Sequence, residues 1–145
     1  MHFMENQVNI KAVGLGTLAY TLVTFPLAVI WHVLLFEEKY HAFGYFEGEP
    51  SFALGLLTII IQGFILSFLF PYVRFTGTII VQGLKYSLII GVFFWTSHVL
   101  AFVAKQTING VPMFMSMESI YLIFQFGIYG VLISTIYNKV NGINA

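Results

Sequence analysis

The sequence predicts an all-α integral membrane protein, with four transmembrane helices in an antiparallel bundle, and three observations carry that reading. Of its 145 residues 59% are hydrophobic and 8% charged, about a third of the ~25% charge usual in soluble domains. Four apolar runs reach the ~20 residues that a helix needs to cross the hydrocarbon. The motif His-Val-Leu-x-Phe occurs twice, at His32 and at His98, each time near the end of such a run.

Composition also narrows the function classes. Six basic and six acidic residues give zero net charge, so no polybasic stripe points to nucleic acid or anionic lipid. Cysteine is absent, which excludes disulfides, thiolate metal sites and thiol catalysis. The first ten residues lack the basic region of a cleaved signal, and the apolar run behind them is too long for one, so the first span is expected to remain in the mature protein.

The first span is expected from Ala12 to Phe36, 25 residues without a charge. Pro26 withholds an N–H from the carbonyl one turn earlier and predicts a bend between Leu22 and Pro26. Glu37 to Pro50 reads as a loop whose Tyr40, Phe43, Tyr45 and Phe46 lie along the headgroup layer, where amphipathic rings concentrate. The second span runs from about Ser51 to Phe70, stopped by Pro71. A turn with Arg74 and Gly77 leads to the third, about Thr78 to Ala104, and Lys85 inside it is expected to carry its ammonium back to the interface. Asn109-Gly110 and Pro112 mark a turn, and the fourth span runs from about Met117 to Tyr137.

Four crossings put both termini on one side, with Lys11, Arg74, Lys85 and Lys139 against Glu5. The other side holds Lys39 and Lys105 against Glu37, Glu38, Glu47, Glu49 and Glu118. The positive-inside bias makes the termini cytoplasmic, in a membrane expected to be a bacterial inner membrane.

The repeat extends beyond the histidine motif. An offset of 66 lays Lys11–Phe36 over Gly77–Phe102 with seven identities in 26 positions, where an apolar-biased composition gives about two or three. Among them are Tyr20/Tyr86 and His32/His98. An offset of 67 pairs Gly63-x-x-x-Ser67 with Gly130-x-x-x-Ser134. The chain therefore reads as a single domain with an internal 2+2 parallel duplication, repeat 1 about 11–72 and repeat 2 about 77–138. Its pseudo-two-fold axis would run along the membrane normal. Spans one and three would sit diagonally, with His32 and His98 facing each other.

Each span has one small or polar face at helical spacing, and in lipid such faces turn inward. Tyr20, Thr24, Gln62, Tyr86, Gln125 and Glu118 are the expected polar interior. His32 and His98, at one depth on diagonal helices, are candidate cofactor ligands: two axial ligands of a b-type haem, or part of a metal or proton site. Glu37, Glu38, His41, Glu47 and Glu49 supply hard-cation donors without a loop spacing to match. Glu49 and Glu118 read as helix N-terminal caps. No catalytic triad, phosphate-cradling glycine loop or His-Glu-x-x-His occurs, so nothing in the sequence supports an enzyme.

Trp31-His-Val-Leu-Leu-Phe36 closing the first span, and Asn109-Gly-Val-Pro112 leading into Glu118-Ser-Ile-Tyr121, Gly127 and Gly130, resemble small bacterial four-transmembrane proteins grouped as domains of unknown function. The resemblance implies the four-span fold and no settled activity. The expected role is an accessory or self-associating subunit of a membrane assembly, with Gly63/Ser67 and Gly130/Ser134 as lipid-facing surfaces of close approach. Its partners would be the bilayer and a homo-oligomer or larger complex, and no nucleic acid. Two alternatives stand beside it: a dimeric small-solute or ion transporter using the polar faces around Gln62 and Gln125, and a bis-histidine haem or metal protein.

Overall fold

A computed structural model describes residues 8–46, 48–73 and 75–142; the expectations placed on Glu5, Glu47 and Arg74 lie outside the described residues. Four helical stretches are long and apolar enough to cross a membrane: Ile10–Leu35, Phe52–Tyr72, Ile79–Lys105 and Val111–Val140. Among the described residues there is no strand. Helix α1 (Ile10–Ala28) continues as a π-helical segment, Val29–Leu35, and α2 (Glu37–Phe43) follows at once. Helix α3 (Phe52–Leu69) ends in a 3₁₀ turn, Phe70–Tyr72. Helix α4 (Ile79–Trp95) passes through a second π-helical segment, Thr96–Leu100, into α5 (Ala101–Lys105), and α6 is Val111–Val140.

Local chemistry sets the helix starts. The Asn9 side chain accepts from the amides of Lys11 and Ala12, Ser51 from Leu54 and Thr78 from Val81, caps that contribute about 1 kcal/mol each. Gly110, at φ 71°, turns the chain into α6, with Pro112 in its first turn, where the missing proline N–H costs nothing. The α-helix runs on through Pro26 and changes to π geometry only at Val29.

Four expectations are corrected. Helix α6 opens at Val111, six residues ahead of Met117, so Glu118 stands in the third turn, fully buried, and is no cap. Glu49 is not a cap either, because Ser51 holds that position. The segment after Phe36 is not a loop: it folds into α2, burying Tyr40 and Phe43 against the bundle, and ends at Gly44 in the left-handed region at φ 79°. Finally, Gly63, Ser67, Gly130 and Ser134 face inward instead of facing lipid.

Those small residues are where the helices meet. A methyl group on Gly63 would stand 3.0 Å from the Tyr20 ring and 3.2 Å from the Thr17 carbonyl, and one on Gly83 would collide with the Gly130 backbone. Helix α1 packs on α3 and α6, and α4 packs on α6. Helix α6 is the enclosed member: 44% of its apolar window is buried, against 17% in each other span. Leucine, isoleucine and phenylalanine cover the outside, the surface a bundle offers to acyl chains. Lys85 donates to the Thr76 carbonyl at 2.9 Å, so its charge is carried to the loop as the sequence predicts.

Candidate functional site

The two histidines converge on one carboxylate. His32, in the first π-helical segment, places Nε2 3.0 Å from Glu118 Oε1. His98, in the second, places Nε2 2.9 Å from Glu118 Oε2. Tyr40, from α2, donates its hydroxyl to Oε1, and Trp31 Nε1 donates to the Tyr40 oxygen at 2.9 Å. A carboxylate taken out of water needs compensating partners, and three groups from three separate elements supply them. Both π-helical segments fall on the histidines, in line with the tendency of such bulges to occur at functional positions.

The surround is aromatic. Tyr121 packs edge-on to His32 with ring centres 4.7 Å apart, and Tyr45 stacks on its other side at 5.8 Å. Tyr45 also approaches His98 at 6.4 Å. Both phenols outside the spans, Tyr40 and Tyr45, are pushed above their ordinary value of 10.0, first by burial and then by the facing Glu118 charge. Tyr40 therefore keeps its proton and acts as a donor. On the lipid side, Trp95 Nε1 donates to Ser119 Oγ at 2.9 Å and closes the seam between α4 and α6 beside the site.

The hydrogen-bond pattern fixes a proton inventory. His32 Nδ1 lies 3.1 Å from the Ala28 carbonyl, which only accepts, so Nδ1 bears hydrogen. The contact from Nε2 to Oε1 then needs a second proton, held either as imidazolium facing carboxylate or as imidazole facing carboxylic acid. The His32–Glu118 pair thus holds one proton more than a neutral imidazole beside a carboxylate. His98 differs: its side chain is 38% exposed, and among the described residues its Nδ1 has no partner. It is the open side of the centre, and Glu118 is the closed interior.

Haem does not fit here. The interval between the two Nε2 atoms is filled by the Glu118 carboxylate, so no plane is left for a porphyrin between axial imidazoles. The imidazoles sit on different carboxylate oxygens at hydrogen-bond distance, and among the described residues no group of three His, Asp or Glu side chains has the arrangement to hold a metal ion. In the acidic segment, Glu37 and His41 are exposed and 3.9 Å apart, one turn from each other.

A second polar cluster lies deeper. Gln125 Nε2 donates to the Tyr20 hydroxyl at 2.7 Å, and Tyr20 donates to Gln62 Oε1 at 3.1 Å, joining α6, α1 and α3. Ser67 donates to the Gly63 carbonyl at 2.6 Å and lies 2.9 Å from the Tyr129 hydroxyl. Tyr137 donates to the Ser67 carbonyl and Tyr86 to that of Leu66. Of the polar interior read from the sequence, Tyr20, Thr24, Tyr86, Gln125 and Glu118 are buried and Gln62 is half-buried.

Sequence reasoning missed Tyr40, Trp31, Tyr45 and Tyr121 as parts of the site. The signal for Tyr121 was present, since it shares a helical stripe with Glu118 and Gln125. No protein family, curated protein or solved structure matches the chain.

Proposed function

We propose that this is a proton-handling membrane protein of the ion-transport class, with Glu118 as its proton-binding group and His98 as the relay to the membrane surface. The observation that supports this reading is a fully buried carboxylate within a span whose two oxygens each meet an imidazole, one enclosed and one open to the surface. Ionisable groups within spans are rare, and they mark ion pathways and proton relays. Histidine is the side chain whose unperturbed titration falls in the physiological range. The groups facing Glu118 are His32 from the first span, Tyr40 from α2, Tyr45 just beyond α2, His98 from the third span and, one turn on, Tyr121 of α6.

The orientation we infer places the termini in the cytoplasm, and the histidine end with Glu37, Glu38 and Glu49 on the outer side. Contacts in the two halves support an antiparallel bundle built by duplication. An offset of 66 maps Thr17 onto Gly83, and one of 67 maps Gly63 onto Gly130; each pair is a close approach between consecutive spans. The residues read as self-association surfaces, Gly63, Ser67, Gly130 and Ser134, are used inside the bundle and so lend no support to an accessory subunit.

The test is infrared difference spectroscopy of protein in mild detergent, stepped between pH ~5 and ~8. A carboxyl and imidazole signal that disappears in Glu118→Gln supports the reading. A spectrum identical in wild type and Glu118→Gln overturns it.

A further inference from the structure

Glycines stand inside the spans for two different reasons. At Gly63, Gly83 and Gly130 a methyl group would press on a neighbouring helix, so close packing requires the missing side chain. At Gly91 the nearest atom would lie 3.9 Å away, in Phe126, and at Gly127 nothing lies within 4 Å. Glycine weakens a helix interior relative to alanine, and helix packing does not offset that loss at these two positions. What the pair leaves is space. Both line a hollow of about 360 Å³ along the α4–α6 seam, on the side of the exposed Leu88, Val92 and Ile123. Gly14 and Gly55 are open as well, and neither lines this hollow.

Shape and chemistry both limit what can occupy it. The hollow runs along α4 from Leu84 to Trp95, a rise of ~16 Å, close to one leaflet of the ~30 Å hydrocarbon. Spread over that length its volume is roughly 5 Å wide. That is the girth of one polymethylene chain, and too narrow for a helix, which is about 10–12 Å across with its side chains. The polar groups along it are already used: Trp95 Nε1 donates to Ser119 Oγ at 2.9 Å, Ser119 to the Met115 carbonyl at 2.6 Å and Ser87 to the Phe126 carbonyl at 2.6 Å. With no side-chain donor left to satisfy, the matching occupant is hydrocarbon. One charge stands at its foot. Lys85 shares the exposed face of α4 with Leu88 and Val92, three and seven residues on, and its ammonium reaches back to the Thr76 carbonyl, before the helix begins. An ammonium carries three donors, and this contact uses one.

We infer that the α4–α6 hollow is a binding site for one acyl chain of an anionic phospholipid, whose phosphate meets the Lys85 ammonium. The chain enters beside Leu84, passes the opening left by Gly91 and Gly127, and ends against Trp95. The headgroup lies where Lys85 reaches the interface, in the manner of basic groups that hold anionic lipids beside membrane helices. The site stands independently of the proton-binding reading of Glu118. A lipid seated there covers the Trp95–Ser119 contact, next in sequence to Glu118, from the membrane side.

The experiment is native mass spectrometry of the protein in mild detergent, titrated with phosphatidylglycerol or phosphatidylcholine carrying the same dioleoyl chains. A one-to-one adduct is expected with both, about five-fold tighter for phosphatidylglycerol, the effect of one basic group near a headgroup. Lys85→Gln should remove that preference. Gly127→Leu, whose side chain starts in open space, should weaken both adducts about ten-fold by displacing methylenes from the hollow, with a melting temperature in lipid-free detergent that holds or rises. Gly127→Ala should act in the same direction to a smaller extent, and it carries the test if leucine unfolds the bundle. Gly55→Leu, equally open but outside the hollow, should bind as wild type does. Equal affinity of wild type for the two lipids, or adducts untouched by both Gly127 variants, overturns the site. So does a dimer that forms without lipid and is lost in Gly127→Leu, since the hollow would then seat a second copy of the chain.

Discussion

His32 and His98 occupy the same place in the two halves of the sequence, but the bundle treats them differently. Each sits in a π-helical segment and each offers Nε2 to Glu118. His32 is enclosed by Tyr40, Tyr45 and Tyr121, and its second nitrogen is tied to Ala28. The second nitrogen of His98 has no partner among the described residues, and its side chain is 38% exposed. The difference follows from α2, which comes straight after the first π-helical segment and packs Tyr40 against His32, whereas the chain after the second continues as α5 and leaves His98 partly exposed. The same motif position is thus an enclosed anchor in one half of the chain and a more open contact in the other.

The comparison is erased most completely at the group both histidines share. Glu118→Ala leaves two imidazoles and the Tyr40 hydroxyl facing an apolar gap, and it should destabilise by about 3–5 kcal/mol, read as a lower melting temperature in detergent. Removing one histidine at a time sharpens it. His32→Ala should cost about 2–3 kcal/mol as a buried charge-assisted bond is lost, and His98→Ala about 1 kcal/mol or less, because water replaces part of the contact. Equal losses would dissolve the distinction between anchor and relay.

The two halves also differ in how tightly their helices meet. Gly83→Ala drives a methyl into the Gly130 backbone, which has no rotamer to yield, and should cost about 2–3 kcal/mol. Gly63→Ala meets first the Tyr20 ring at 3.0 Å, which can shift by tenths of an ångström, so about 1 kcal/mol is expected. Thermal melts of the two variants side by side check the order.

The smallest effect concerns the half that α2 covers. Tyr40 and Tyr45 have folded values raised above the unfolded 10.0, so the fold favours the neutral phenols. Their contribution is complete below pH 10 and lost as pH rises above it. Alkaline melting curves should fall less steeply in Tyr40→Phe, and a slope unchanged by that substitution would show that Tyr40 is not the group being titrated.

The four spans and the pairing of the histidines were legible because apolar length and a repeated motif are properties of the chain itself. The partner of the histidines was not. Glu118 follows Pro112 by six residues, and reading Pro112 as part of a turn made the glutamate a helix start; with Pro112 in the first turn of α6, the same glutamate is buried. Tyr40 was hidden for a different reason: aromatic residues beside glutamates satisfy both a headgroup layer and a cap over a polar centre, and only tertiary packing separates the two. The π geometry left no common mark, since Pro26 precedes one segment and no proline precedes the other.

Those segments carry a consequence for how the protein tolerates change in length. A π turn holds one residue beyond the α-helical count, and deleting one residue there would let the helix close into regular α geometry. The span would still be apolar and long enough for the bilayer, so insertion should proceed. The residues beyond the deletion would keep their face, because the wide turn had absorbed the extra residue, but those inside the segment, the histidine among them, would be re-aimed by up to about 100° and leave the axis of Glu118. Length, ordinarily the most forgiving property of a membrane helix, is here what aims the chemistry.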